Sequence, residues 1–342
     1  MIHLSRFVAL AGLSGILLVA PGCFDRHDPV APRAAVTALQ TIWPNEDGCS
    51  WSYQVVDRTF TGGGGLMTYA SAADVPPAPS MTEVAALLDT LPIGGGYRSH
   101  TASFGLRFNG LITTQSGVTR QNLVETLIST AAGATRSPVG GPAAFLAQLY
   151  RARPDLRPLL RARLSSVSQL ADTTHTYASN LLHGYAWEKT TRWIGTYGDV
   201  DTLLAWKFLT SRLSPGSEFT SQLVPSLAAD VWLHGRILDR QRVRTPAGTF
   251  ENAVVCAYLI DFGMAELTDE SGNFMGYTRM FNYGSVAYVN TVGPVACYER
   301  RMVTAGGTSL GAGDVTLRLT GQGPRRWAAD RTPAARTPRA PL

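Results

Sequence analysis

Apolar and polar residues alternate along much of the second half of the chain, and a period of two is the mark of a half-buried strand. The alternation is densest between Arg244 and Arg300. Thr249, Val254, Val255, Tyr258, Ile260 and Phe262 form a β-branched and aromatic run. The turn formers Thr268-Asp269-Glu270-Ser271-Gly272-Asn273 follow, and a second run extends from Phe274 to Val289. Pro246-Ala247-Gly248 and Gly293-Pro294 punctuate the strand entries, where proline lacks a ladder donor. The stretch predicts a long antiparallel hairpin followed by a further strand.

Other segments extend the sheet. Trp51 to Phe60 predicts a first strand with Trp51, Tyr53 and Val55 on one face, and Asp314 to Thr320 a last one. Between them, Tyr185-Ala186-Trp187, Trp193 to Tyr197, Leu203 to Leu209 and Val231 to Arg242 read as strands. Residues 81–183 are mixed. Ser80 caps a predicted helix from Met81 to Leu91, with Val84, Leu87, Leu88 and Leu91 as its apolar stripe. Tyr97 to Thr114 reads as two strand runs about an Asn109-Gly110 turn. Thr119 to Ala132 predicts a helix with Leu123 and Leu127 inward, and Pro142 to Tyr150 and Leu156 to Leu182 predict two more. The expected fold is α+β: a curved antiparallel sheet or half-open β-barrel with a helical insertion at about 81–183.

Two motifs carry a family resemblance. Trp43-Pro44, Gly48 and Trp51-Ser52-Tyr53 form a "P…G…W-x-Y" start, and Thr245-Pro246-Ala247-Gly248-Thr249-Phe250 is followed by Val292-Gly293-Pro294-Val295. Together they resemble a group of uncharacterised bacterial envelope lipoproteins. The resemblance covers 43–60 and roughly 184–304. It implies a strongly curved sheet like that of half-open-barrel lipoprotein carriers, and no catalytic residue.

The N-terminus fits an envelope address. Arg6 precedes an apolar run from Phe7 to Ala20, and Val19-Ala20-Pro21-Gly22-Cys23 resembles a lipobox. Residues 1–22 then form a signal peptide, Cys23 is the lipid attachment site, and acyl chains hold the protein on a membrane. Residues 23–42 are a flexible tether, 43–323 a single β-rich domain and 324–342 a disordered basic tail. The expected location is the periplasmic side of the envelope, the outer membrane ahead of the inner, with the cell surface still open. Cys49, Cys256 and Cys297 remain, an odd number. Cys256 and Cys297 both lie in predicted strands of the 244–300 stretch, and an oxidising envelope favours a bridge between them, with Cys49 pairing with either as the competing connectivity.

Charge changes the picture only once it is located. The formal net charge is +5. Arg325, Arg326, Arg331, Arg336 and Arg339 against Asp330 place +4 of it in the tail, and Arg6 in the signal accounts for the remaining +1. The domain is therefore neutral on balance, and no nucleic-acid partner is expected. Arg151, Arg153, Arg157, Arg161 and Arg163 form a basic patch, either against an anionic membrane surface or simply solvated.

Recognisable catalytic patterns are absent. Gly307-Thr308-Ser309-Leu310-Gly311 lacks the strand–turn–helix setting of a nucleophile elbow, and Gly62 to Gly65 is followed by no Gly-Lys-Ser/Thr. His175, Asn180 and His183 have no ligand spacing, and no metal or cofactor is expected. No enzyme activity is expected. The aromatics Trp187, Trp193, Trp206, Trp232, Tyr258, Phe281, Tyr283 and Tyr288 either line an apolar cavity or fill a core. The leading expectation is a lipid-anchored protein that carries a lipid or other hydrophobic ligand in a concave sheet. The alternative is a structural or assembly partner in an envelope complex, with a hydrolytic enzyme third.

Overall fold

The computed structural model describes residues 42–44, 47–61, 66–89, 96–113, 119–129, 148–149, 151–158, 186–189, 193–197, 205–224, 228–306 and 313–323. The signal peptide, Cys23, the tether up to Thr41, the 324–342 tail, His175 to His183 and the Gly307–Gly311 string lie outside them, while Ile42, expected in the tether, is buried in the core.

The strands are β1 (Ser50–Phe60), β2 (Tyr97–Thr113), β3 (Thr119–Ser129), β4 (Ala186–Lys189), β5 (Trp193–Tyr197), β6 (Ala205–Thr210) and β7 (Glu218–Val224). They continue with β8 (Ala228–Ile237), β9 (Gln241–Thr245), β10 (Gly248–Thr268), β11 (Phe274–Val289), β12 (Gly293–Thr304) and β13 (Gly313–Gln322). One helix, α1 (Met81–Leu88), precedes β2. The sheet runs β6-β5-β4-β3-β2-β1-β13-β12-β11-β10-β8-β7, antiparallel throughout, and β9 pairs with β10 alone.

That order forces curvature. The edge strands β6 and β7 are consecutive in the chain, joined only by residues 211–217. Twelve flat strands would span about 53 Å, while such a link reaches less than about 30 Å. The sheet therefore curls until its edges meet without pairing: an open sheet, as the α+β half-barrel expectation had it.

Alternation along the strands separates two faces. Trp51, Tyr53, Val55 and Asp57 of β1 point inward, together with Phe104, Leu106 and Phe108 of β2 and Leu317 and Leu319 of β13. Trp43 closes this core, with its ring 6.0 Å from Trp51, 5.6 Å from Phe208 on β6 and 6.1 Å from Tyr288. A second inner cluster joins Leu223, Val231, Leu233, Ile260, Phe262 and Met280 to Leu149, Ala152 and Leu156. On the outer face α1 seats Met81 and Val84 against Ala257, Leu259, Phe281 and Tyr283. Its start is a capping box: the Glu83 amide donates to Ser80 Oγ, and the Ser80 amide to Glu83 Oε2 at 2.7 Å.

Two local expectations are corrected. Thr119–Ser129 is strand β3, not helix, with Leu123 opposite Phe108 and Leu127 opposite Phe104. A spacing of four satisfies both a helical face and a two-residue alternation, so these leucines did not discriminate; pairing with β2 decided it. Asn109-Gly110 is not a hairpin turn. It lies within β2, where Gly110 has φ +72°, the pairing with β3 shifts between Phe108 and Leu111, and the Gly110 amide donates to Asp47 Oδ1 at 2.7 Å. The proposed helical insertion thus contains two of the sheet's strands.

Candidate functional site

A row of directly paired residues crosses the inner face: Phe219, Gly235, Tyr258, Gly284, Glu299, Val315 and Asp57. Two of its members must be glycine. A Cβ on Gly235 would lie 2.2 Å from the Phe219 ring, and one on Gly284 would lie 2.7 Å from the Tyr258 hydroxyl. The bare backbone lets both rings lie flat across a neighbouring strand. Tyr258 thereby delivers its hydroxyl to Glu299, donating to Oε2 at 2.8 Å.

Glu299 Oε1 accepts from Asn282 Nδ2 at 3.3 Å and, at the weak limit of 3.4 Å, from Gln148 Nε2. Asn282 donates in turn to the Gln148 carbonyl oxygen and accepts from the Met302 amide at 2.8 Å. Burial raises the Glu299 pKa above its usual value, against the lowering effect of the Tyr258 hydrogen bond and the nearby Arg301 charge. Arg301, two residues along the same face, pairs with the fully buried Asp57. The result is a polar band inside an otherwise apolar interior. Tyr258, Cys297 and Glu299 keep some accessible surface although protein packs around them.

The segment 148–158 plugs this interior. Leu149 and Ala152 are fully buried, and Pro154–Leu156 forms a single 3-10 turn. Arg153 pins the segment from within: Nη1 donates to Asp230 Oδ1 at 2.9 Å and to the Phe262 carbonyl at 3.0 Å, and Nη2 to Asp155 Oδ2 at 2.8 Å. The side chain is only 8 % exposed. Arg153 is therefore neither a membrane-facing nor a solvated arginine, as the sequence reading had it. Arg151 and Arg157 are exposed, and Arg161 and Arg163 lie outside the described residues.

The eight aromatics do not form one lining. Tyr258 and Tyr288 face inward, whereas Phe281 and Tyr283 face outward beneath α1, and Trp232 stands on the outer face opposite Asp261. For Trp187, Trp193 and Trp206 only the backbone, on β4, β5 and β6, lies within the description.

The expected Cys256–Cys297 bridge is also corrected. Cys256 on β10 and Cys297 on β12 flank Val286 on β11, and neither they nor Cys49 form a disulfide. Two strand spacings hold them about 9.6 Å apart, beyond disulfide reach. Burial pushes each thiol up to about 12, so both are protonated and poor nucleophiles at neutral pH.

Sequence reasoning passed over Asp57, Gln148, Asn282, Glu299 and Arg301, and placed Arg153 on a surface patch. For three of them a signal existed. Asp57 continues the inward phase of Trp51, Tyr53 and Val55, and Glu299 and Arg301 continue that of Cys297. Among the described residues no group of three His, Cys, Asp or Glu is placed to hold a metal ion.

Outside, the β10–β11 hairpin projects. β8 leaves β10 at Asp261 and β12 leaves β11 at Met280, so 262–268 and 274–279 extend as a two-stranded ribbon. A strap pairs with the outer edge of β11: Tyr69 and Tyr277 exchange backbone bonds of 2.8 Å, and Thr278 Oγ1 donates to the Met67 carbonyl at 2.8 Å. Leu66, Met67, Met264, Phe274 and Met275 are all exposed along ribbon and strap. At the tip, Asp269 accepts from the Ser271 and Asn273 amides and from Asn273 Nδ2. It is a turn former, as its sequence context indicated.

The fold and site define a class: an α+β protein on a half-open antiparallel sheet whose interior is filled by its own chain. No protein-family model and no curated protein matches the sequence. Among solved structures, one similar chain is a protein described as exported, with a YmcC-like fold, from Bacteroides fragilis NCTC 9343. It shares 8% identity at a TM-score of 0.29 over 83% of this chain and 99% of that one. Another is described as a lipoprotein from Parabacteroides distasonis ATCC 8503, with 11% identity and a TM-score of 0.25 over 83% and 98% of the two chains. Likeness that weak carries no weight for fold or function.

Proposed function

We propose that this chain is a lipid-anchored envelope protein that works without catalysis, as a structural or assembly partner that binds through the outside of its sheet. One observation carries the reading: Leu149, Ala152 and Leu156 occupy the space in which a carrier would hold its ligand. Of the five aromatics whose side chains are described, only Tyr258 and Tyr288 face inward, which speaks against a continuous aromatic wall for a ligand. The inner polar band serves to hold the plug, because Gln148 is bonded to Asn282 and Glu299. Among the described residues, five of the six large exposed hydrophobics instead lie on the projecting ribbon and its strap, Tyr97 being the exception.

The address rests on the sequence. Cys23 at the end of the apolar N-terminal run supplies the anchor, and the domain faces the periplasm, on the outer rather than the inner membrane. Native mass spectrometry of the full protein, extracted from a bacterial envelope, tests the reading. The expected mass is the acylated chain alone, or with protein partners. A stoichiometric non-covalent lipid, retained through extraction, would restore the carrier function in its place.

A further inference from the structure

We propose that the projecting β10–β11 ribbon is the docking site for the basic Trp327 segment of a second copy of this chain. The inference rests on the reading that the protein works through its outer surface. The ribbon offers Phe274 at 50 % and Met275 at 58 % exposure next to its tip, with Met264 farther along it, opposite Arg279. Phe274 and Tyr277 stack edge to face at 5.1 Å, which gives a firm aromatic ledge flanked by the adaptable Met275. Three carboxylates, Glu266, Asp269 and Glu270, are exposed at the same end. Asn273 and the turn amides hold Asp269 below the usual carboxylate range, so it stays charged.

An apolar ledge rimmed by negative charge suits an aromatic residue flanked by cations, and it disfavours an anionic membrane surface. The sequence Arg325-Arg326-Trp327, in a tail of five arginines against one aspartate, has that composition.

Reach decides which copy supplies it. The Gly323 amide donates to the Ser50 carbonyl, and Gln322 Nε2 to that of Val292, so the domain's C-terminal end sits by the β11–β12 turn. Phe274 is at the other end of β11, about 50 Å along the strand at 3.3 Å per residue. Trp327 stands four residues beyond Gly323 and extends at most about 14 Å. It cannot touch its own ribbon. Two copies side by side and antiparallel exchange tails reciprocally, which closes the pair at two.

The test is photo-crosslinking in the full, membrane-anchored protein with benzoylphenylalanine at position 327. The expected product is a dimer whose cross-link maps to residues 66–67 or 264–279. Its yield falls about fivefold or more on raising salt from 50 mM to 500 mM, since the charged pairs are exposed. The yield also falls in a Phe274→Ser/Met275→Ser variant whose melting temperature is unchanged. No dimer, a cross-link elsewhere on the chain, or a yield indifferent to that variant overturns the proposal. A benzoylphenylalanine at position 275 separates the two levels. Cross-links from there to a different protein sink the tail contact but leave the outer-surface reading standing, whereas lipid inside the sheet sinks that reading by itself.

Discussion

Replacing Arg153 with methionine isolates the latch that keeps the plug in the sheet. Methionine retains most of the buried stem and removes the guanidinium. The buried Phe262 carbonyl then loses a charged donor at 3.0 Å, worth about 1.5–3 kcal/mol. The partners Asp155 and Asp230 are 31% and 47% exposed. Water replaces the arginine there, so each of those pairs contributes only about 0–1 kcal/mol. The expected cost is about 2–4 kcal/mol, which raises the open population of the 148–158 segment between about 30-fold and several hundredfold. Native-state trypsin cleavage after Arg151 reads that opening, because the bonds after Arg153 and Arg157 precede prolines. The rate should rise in proportion to the open population, and Arg157→Met, at an exposed position, should change it less than twofold. Equal cleavage in wild type and Arg153→Met would refute the latch.

Three further outcomes follow from the inner row. Glu299→Gln should flatten the pH dependence of stability: burial raises the folded pKa of Glu299 above 4.5, so its contribution is complete below that value and is lost as pH climbs through the folded pKa. Denaturant midpoints of both proteins from pH 4 to 8 check this, and parallel curves would contradict it. Gly284→Ala drives a Cβ to 2.0 Å from the Tyr298 carbonyl and into Tyr258, so unfolding should become easier by about 3 kcal/mol. Gly321→Ala, which meets nothing within 4 Å, should stay within about 0.5 kcal/mol in the same denaturant titration. Maleimide labelling without reductant should find Cys49 and Cys256 silent in the native protein, and Cys49, Cys256 and Cys297 all reactive in denaturant; a thiol missing there would mean a disulfide.

Much of the sheet was legible because strands with one buried face write their period into the sequence. Trp51, Tyr53 and Val55 gave the phase of β1, and Thr268 to Asn273 gave the turn between β10 and β11. β3 was not legible, since Leu123 and Leu127 fit either period and its partner is a different segment of chain. The interior was the larger omission. Apart from the local Arg153–Asp155 pair, Gln148 and Arg153 acquire their roles through residues 77 to 151 positions away, and no local pattern encodes such pairing. Asp57, Glu299 and Arg301 were readable by extending each strand's inward phase one step into polar residues. The disulfide expectation failed on strand order: β11 runs between the two cysteines, and proximity in sequence pattern does not say which strands are neighbours.

The central claim is that the sheet is closed by its own chain and that no lipid displaces the plug. Hydrogen exchange across residues 148–158 of the full protein, with and without a large excess of phospholipid vesicles, tests it most directly. The account predicts slow exchange at Ala152 and Arg153, where the Arg153 amide donates to the Leu149 carbonyl at 2.9 Å, and no change with lipid. Loss of that protection on adding lipid, with β8 and β10 still protected, would mean that the plug yields to a ligand, and the protein would be a carrier after all.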